Sequence, residues 1–169
     1  MELKQAIESR YSVRKYEKKA VELDKLKRVL NAGRIAPSAR NLQNWKFVVV
    51  TDSKMISKIA NSSEQKWMSG AAVIIAIVCT EPRIMSCEIP AGPVDCSIAI
   101  DHMTLWAVEE GLGTCWIGKF QQSECKELLN IPQEMEVVEL LTLGYPAGEP
   151  KTEKSRKDFD EVVCWEKFN

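Results

Sequence analysis

The sequence is poor in the residues from which metal centres and nucleophilic catalytic sets are built. It contains one histidine, His102, and no two of its six cysteines stand at C-x-x-C spacing. Zinc and iron–sulfur sites usually need tighter ligand clusters, so we expect no metal site and interpret the cysteines as free thiols of a reducing compartment. No Ser/His/Asp or Cys/His set is evident, and His102 lies among apolar neighbours in a helical segment, which favours a structural role.

Long apolar runs are also missing. None approaches the roughly 20 residues that a helix needs to span a bilayer, so no contact with a membrane is expected. The first ten residues, MELKQAIESR, lack the apolar core of a secretory signal, and we therefore expect a cytoplasmic protein. Internal repeats and domain linkers are absent, and the 169 residues suit a single domain spanning 1–169.

Negative charge is scarce at the front of the chain. Residues 1–50 hold twelve Lys and Arg against five Asp and Glu, whereas residues 51–169 hold eleven against nineteen. This asymmetry predicts that residues 1–50 bind anions. Nucleic acid would be one such anion, but the basic stretch shows neither interleaved aromatics nor a clear recognition helix, and we expect no nucleic-acid partner.

The spacing of apolar residues predicts a mixed set of helices and strands. Helices are predicted at about 2–9, 22–32, from 53 onward, 95–110 and 123–129, with Gly33 ending the second helix and Asp95 capping the fourth. Strands are predicted at about 46–52, 71–79, 114–117, 136–146 and 161–165. At least two helices precede the first strand and no G-x-G-x-x-G follows a strand, so an α+β layered fold fits better than a Rossmann unit. The strand-like segment 161–165 lies in a polar tail and is expected to pair with another subunit.

The stretch RYSVRKY, residues 10–16, places like charges on one side of an extended chain. Side chains alternate faces in such a chain, so Arg10, Ser12 and Arg14 share one face. Two neighbouring arginines repel each other, and an anion bound between them replaces that repulsion with charge-assisted hydrogen bonds. Phosphate fits the planar guanidinium groups best. The alternative is an ordinary solvated edge, since further lysines follow.

Two other stretches have the composition of ligand-binding loops. Pro37, Ser38, Asn41 and Gln43 are turn formers and amides that could bond to a flat heterocycle, although an ordinary loop would need no ligand. The segment GTCWIGK, residues 113–119, satisfies the phosphate-loop pattern G-x-x-x-x-G-K. The Ser or Thr that should follow is Phe120, and the interior is strand-like, so an NTPase site is disfavoured.

Together these stretches resemble the FMN-dependent nitroreductase family, whose N-terminal pattern is R-x-S-x-R followed by A-P-S-x-x-N-x-Q-P-W. The matching positions are Arg10, Ser12, Arg14, Ala36, Pro37, Ser38, Asn41, Gln43 and Trp45. One position departs, because Asn44 replaces the usual proline, and we expect this to alter loop stiffness. The resemblance continues through GLGTCWIGKF and through the tail, where Lys154 and Arg156 match a basic pair beside the FMN phosphate.

The resemblance implies a nitroreductase-like α+β fold, with a central, mostly antiparallel β-sheet flanked by helices and a C-terminal arm, 147–169, packed on the partner in a homodimer. It implies FMN as cofactor, NADH or NADPH as co-substrate, and a small electron acceptor such as a nitroaromatic or quinone. The implied FMN-binding residues are Arg10, Tyr11, Ser12, Arg14, Pro37, Ser38, Ala39, Asn41, Gln43, Gln65, Trp116, Ile117, Gly118, Lys119, Lys154 and Arg156.

The implied mechanism is a ping-pong hydride transfer at flavin N5, with no catalytic acid or base from the protein. A backbone N–H near Gly118 would face N5, and Arg14 would face the N1–C2=O side. Pro37, Ser38 and Asn41 would come from the other subunit. A same-fold flavoprotein with a specialised reaction, such as dehalogenation, azoline oxidation or flavin fragmentation, stays open, as does a non-catalytic basic nucleotide- or nucleic-acid-binding protein.

Overall fold

The computed structural model describes residues 2–148 and 154–168, and its centre is a four-stranded antiparallel sheet in the order β1-β2-β4-β3. The strands are β1 Trp45–Val50, β2 Val73–Cys79, β3 Gly113–Ile117 and β4 Glu136–Gly144. The helices in the described residues are α1 Leu3–Ser9, α2 Leu23–Arg34, α3 Ser53–Ser62, α4 Ala91–Glu109, α5 Gln122–Leu129 and α6 Phe159–Val162. The predicted α+β fold, with an antiparallel sheet flanked by helices, is confirmed.

The core is organised around β2, in which all seven residues are buried. On one face of the sheet its side chains pack with α2 and α4, where Ile75 meets Ile100 and Met103. On the other face they pack with α3 and α5, as Ile74 does with Ile59. A strand covered on both faces needs apolar residues at every position, which is why this segment reads as a continuous apolar run.

Helix boundaries follow local signals in one case and tertiary packing in another. Of the two residues that could cap α3 by sequence, Asp52 and Ser53, Asp52 is the cap, because its carboxylate accepts a hydrogen bond from the backbone N–H of Met55 at 2.8 Å. Gly33, predicted as the stop of α2, instead lies inside that helix, which continues to Arg34. A Cβ at Gly33 would collide with the side chain of Met103, so this glycine serves the close approach of α2 to α4.

Two other predictions about local structure are wrong. The strand predicted at 161–165 is absent, because Phe159–Val162 forms a short helix closed by a capping box between Asp158 and Glu161. The central helix α4 begins at Ala91 rather than at Asp95, so Asp95 lies within the helix and is not its cap.

The stretch 10–16 runs in an extended path beside β3. The backbone N–H of Val13 donates to the carbonyl oxygen of Thr114 at 2.8 Å. Val13 is buried while Ser12 and Arg14 are exposed, as the predicted alternation requires. Tyr16 departs from the alternation, because it turns inward and its hydroxyl lies 2.7 Å from the hydroxyl of Thr142.

Three further observations concern the described residues. None of their helices is long and apolar enough to cross a bilayer. They contain no group of three or more side chains arranged to hold a metal ion. All six cysteines fall among them, and no disulfide joins any two.

Candidate functional site

Three positive side chains from opposite ends of the sequence come together beside α1. The Lys154 ammonium donates to the backbone carbonyl oxygen of Ile7 at 3.0 Å, which brings the C-terminal segment to the N-terminal helix. Partial desolvation lowers the pKa of Lys154, and the charges of Arg10 and Arg156 lower it further. The charge of Glu8 acts in the opposite direction, so the structure brings three of the predicted phosphate-binding residues near one another with one carboxylate beside them.

The side chains of Ser12 and Arg14 converge on a buried thiol, that of Cys115 on β3. Burial raises the pKa of Cys115, whereas the charge of Arg14, the hydroxyl of Ser12 and the charge of Arg10 lower it. Because the net shift is upward, this sulfur stays a protonated thiol at neutral pH. Cys115 thus lies close enough to the predicted anion-binding residues to interact with them, which sequence reasoning did not predict.

Arg14 is held in place by an aromatic neighbour. Its guanidinium carbon lies 6.0 Å from the centroid of the Trp67 ring, at the outer distance of a cation–π contact. The indole N–H of Trp67 donates to the side-chain oxygen of Gln65 at 2.8 Å. Gln65, Trp67 and Arg14 therefore form a connected row, which brings the predicted site residue Gln65 to the same region.

The end of β3 supplies a further group of predicted residues. Trp116 is 36% exposed, and its indole N–H donates to the Thr104 hydroxyl at 2.8 Å, whereas Ile117 is buried. Gly118 is exposed. The Lys119 ammonium lies 2.9 Å from the Glu64 carboxylate, and this ion pair ties the end of β3 to the turn that carries Gln65.

The loop between α2 and β1 has an unusual backbone. Arg40, Asn41 and Gln43 have φ angles of 56°, 57° and 54°, in the left-handed region that residues other than glycine seldom adopt. The N–H of Gln43 donates to the Ser38 hydroxyl oxygen at 3.0 Å, and the Gln43 amide donates to the Asn41 carbonyl oxygen at 3.0 Å. Such strain clusters at functional sites, where the surrounding structure maintains it.

This loop is anchored by Asp95, a residue whose role the sequence did not reveal. The Asp95 side chain is buried within α4 and accepts a hydrogen bond from the backbone N–H of Ala39 at 3.0 Å. By sequence alone, an acidic residue near the predicted start of a helix indicates a cap. The available signal was its position among apolar neighbours, since a buried carboxylate needs a donor from elsewhere in the fold.

The loop that contains Pro37 and Ser38 and the stretch that contains Arg10 and Tyr11 lie at opposite ends of α4. The loop that contains Pro37, Ser38 and Ala39 is tied to the first turns of the helix through Asp95. Arg10 and Tyr11 line a cavity of about 310 Å³ together with Val108, near the other end. Val108 follows Asp95 by thirteen positions in the helix, which corresponds to roughly 20 Å. The structure therefore does not bring the two groups together within one chain.

Comparisons with known proteins identify the family and the fold. A model of the nitroreductase family matches residues 7–67 and 61–145. A protein of Archaeoglobus fulgidus with the provisional name NADH dehydrogenase/NAD(P)H nitroreductase is 32% identical over 160 residues, which cover 92% of this chain and 88% of that protein. A crystal structure of a nitroreductase family protein from Clostridium difficile 630 is 29% identical, with a TM-score of 0.87 over 99% of this chain and 100% of that one. An FMN-dependent nitroreductase from Clostridium difficile R20291 is 27% identical, with a TM-score of 0.81 over 96% of this chain and 98% of that one.

Proposed function

Because the chain belongs to the nitroreductase family, we propose that it is an FMN-dependent NAD(P)H oxidoreductase that reduces small acceptors such as nitroaromatics or quinones. The observation that carries the proposal is the hydrogen bond of the Lys154 ammonium to the backbone of Ile7, which brings Lys154 and Arg156 to the end of α1 that precedes Arg10. The charges of Arg10 and Arg156 disfavour a third cation at Lys154, and the Glu8 carboxylate offsets this only in part, since the pKa of Lys154 is lowered on balance. A dianionic phosphate offsets that repulsion through charge-assisted hydrogen bonds.

The residues present fit FMN. Arg10, Lys154 and Arg156 would hold its phosphate, and Ser12 would add a short hydroxyl donor. Arg14, positioned by Trp67, would lie beside the N1–C2=O side of the flavin, where a fixed positive charge stabilises negative charge that develops on reduction. When bound, FMN supplies hydride transfer between a nicotinamide and an electron acceptor.

The contribution of the chain itself is to bind and orient rather than to exchange protons. Burial keeps the Cys115 thiol protonated, so it is not a nucleophile in this proposal. Gly118 is exposed and carries no side chain, so a flat ring can approach the backbone there, and the N–H near it is the proposed donor to N5. The exposed ion pair of Lys119 with Glu64 connects this strand end to the Gln65 turn.

We also propose that the active form is a homodimer in which the loop 36–43 completes the pocket of the partner. The separation of the two half-sites along α4 supports this arrangement, because one chain leaves each half-site incomplete. An apolar groove of about 480 Å³ lies between α1, α2 and α4, and a second copy is its proposed occupant. The groove is lined by Leu3, Ala6, Ala32, Ile35, His102, Leu105, Trp106 and Glu109.

The C-terminal segment supports the same assembly. Phe159, Trp165 and Phe168 are 64%, 72% and 98% exposed. Large aromatic side chains concentrated in one short segment indicate a surface that is covered in the functional molecule. We propose that the predicted arm, of which residues 154–168 are described, packs these side chains on the partner.

Substitution of Arg10 tests the cofactor site. Arg10→Ala is expected to weaken FMN binding by about 1.5–3 kcal/mol, because it removes one charge-assisted contact. The measurement is a titration of the apoprotein with FMN, followed by quenching of flavin fluorescence. Lys58→Ala, which removes an exposed charge from α3, is the matched control and should leave the dissociation constant unchanged. An unchanged constant in Arg10→Ala would refute the assignment of this residue.

The activity is tested with the purified protein. Visible flavin absorption should bleach on addition of NADH or NADPH without oxygen and return when a nitroaromatic or quinone is added. A colourless protein that cannot be reconstituted with FMN would contradict the proposal.

A further inference from the structure

A second groove, of about 470 Å³, lies between α2 and the edge strand β1. It is lined by Lys27, Leu30, Asn31, Arg34, Trp45, Lys46, Phe47 and Val49. Three of these residues are cations and none is acidic. The proposed FMN site does not use any of them, so the positive charge on this side of the molecule has no role in the function described so far.

The groove combines its positive rim with an aromatic surface. The rings of Trp45 and Phe47 are stacked, with centroids 6.2 Å apart and planes 14° from parallel. Both side chains are only partly buried. Aromatic side chains bind flat heterocycles by stacking, and guanidinium and ammonium groups bind phosphate. The matching ligand is therefore a flat heterocycle that carries phosphate.

The position of the groove relates it to the proposed reaction. The loop 36–43 links the end of α2 to the start of β1, so the groove begins where the loop ends on either side. Arg34 precedes Pro37 by three residues, which limits the distance between their Cα atoms to about 10 Å. Trp45 follows Gln43 by two residues, which limits that distance to about 7 Å. The groove therefore lies beside the loop that the proposed function assigns to the flavin pocket.

We propose that this groove binds the adenosine end of NADPH, with the adenine against Trp45 and Phe47 and the 2′-phosphate between Lys27 and Arg34. The inference rests on the proposed function, because it extends the nicotinamide co-substrate outward from the flavin. Arg34 is suited to this role, since it lines the groove beside Asn31, to whose side-chain oxygen its Nε donates at 2.9 Å. The consequence is a preference for NADPH over NADH, which differs only by lacking the 2′-phosphate.

Direct binding to the FMN-loaded protein tests the groove without turnover. Calorimetry should show that adenosine 2′,5′-bisphosphate binds at least about tenfold more tightly than adenosine 5′-monophosphate, the difference expected of a charge-assisted phosphate contact. The variant Lys27→Gln/Arg34→Gln should reduce binding of the bisphosphate to that of the monophosphate. Lys54→Gln/Lys58→Gln removes two exposed charges from α3 and should leave both values unchanged. Equal binding of the two nucleotides by the unaltered protein would overturn the proposal.

Kinetics separate this inference from the proposed function. In Lys27→Gln/Arg34→Gln, kcat/KM for NADPH should fall about tenfold or more through KM, while kcat and the values for NADH stay within twofold. Unchanged FMN content and NADH oxidation then show that the fold and the flavin site are intact. Equal losses for both nucleotides, or no loss for NADPH, would overturn the groove and leave the proposed activity standing. Failure to bind FMN at all would instead contradict the proposed function, and the same calorimetric comparison of the two nucleotides, made on the FMN-free protein, would still test the groove.

Discussion

The Asp95 carboxylate accepts a hydrogen bond from the backbone N–H of Ala39 at 3.0 Å. This contact joins a buried position of the central helix to a loop in which three residues adopt left-handed backbone angles. A buried carboxylate is stabilised only when it has a donor, and a strained loop persists only when its surroundings hold it. The loop therefore supplies the donor that the buried carboxylate of Asp95 needs, and Asp95 supplies a contact that holds the loop.

Replacement of Asp95 should loosen the loop without abolishing folding. Asp95→Leu removes the acceptor and is expected to weaken FMN binding by about 1.5–3 kcal/mol, the range for a hydrogen bond to a charged group. Asp95→Asn keeps an acceptor oxygen at nearly the same place and should preserve most of the affinity. Fluorescence titration measures the effect, and far-UV circular dichroism verifies the fold. Equal affinities for Asp95→Leu and the unaltered protein would show that the contact does not position the loop.

The absence of a side chain at Gly113 is expected to set the position of the stretch 10–16, which carries the anion-binding face. A Cβ at this position would press on the Val13 side chain and lie 2.9 Å from Pro146. Gly113→Ala should therefore lower the free energy of unfolding by about 1–3 kcal/mol and weaken FMN binding, because Val13 lies between Ser12 and Arg14. Urea denaturation measures the first effect. The double variant Gly113→Ala/Val13→Ala should recover part of both losses, and the absence of any recovery would contradict the steric explanation.

The lowered pKa of Lys154 predicts a pH dependence of cofactor binding. Desolvation and the charges of Arg10 and Arg156 make this lysine lose its proton at a lower pH than an ordinary lysine. FMN affinity should therefore fall as pH rises through that lowered pKa, and also below about pH 6, where the phosphate takes up a proton. Lys154→Arg keeps its charge and should flatten the alkaline limb. Identical alkaline limbs in the two proteins, measured by FMN titration, would exclude Lys154 from the phosphate site.

The apolar groove predicts the oligomeric state. Light scattering should give a dimer, and Ile35→Glu, which places a charge in the groove, should shift the protein toward a monomer with less bound flavin. Ile84→Glu is the matched control, because Ile84 is 61% exposed, close to the 59% of Ile35, but lies outside the groove. A fully flavin-loaded monomer would contradict the shared pocket.

Elements whose signals are local could be predicted from the sequence. The apolar run that becomes β2 and the cap at Asp52 depend on residues within a few positions of each other. The antiparallel pairing of the sheet came from the family resemblance rather than from periodicity. The same resemblance linked Arg10 with Lys154, which no local pattern could have done.

Features set by contacts distant in sequence were missed. Gly33 resembles a helix stop, but its role depends on Met103, seventy residues later in the chain. Asp95 resembles a cap, but its partner is an amide of a distant loop. The segment 161–165 has strand propensity, and the capping box of Asp158 with Glu161 overrides it. In each case the residue type predicts one structural role, and contacts with residues distant in sequence or with the local cap produce another.

The placement of the two half-sites at opposite ends of α4 has a genetic consequence. In a shared-pocket dimer, each pocket takes its phosphate cluster from one chain and its loop from the other. A mixed dimer of one chain altered at Arg10 and another altered at Asp95 would concentrate both lesions in one pocket and leave the second pocket wild type. Two alleles that are each defective alone would then complement one another when expressed together.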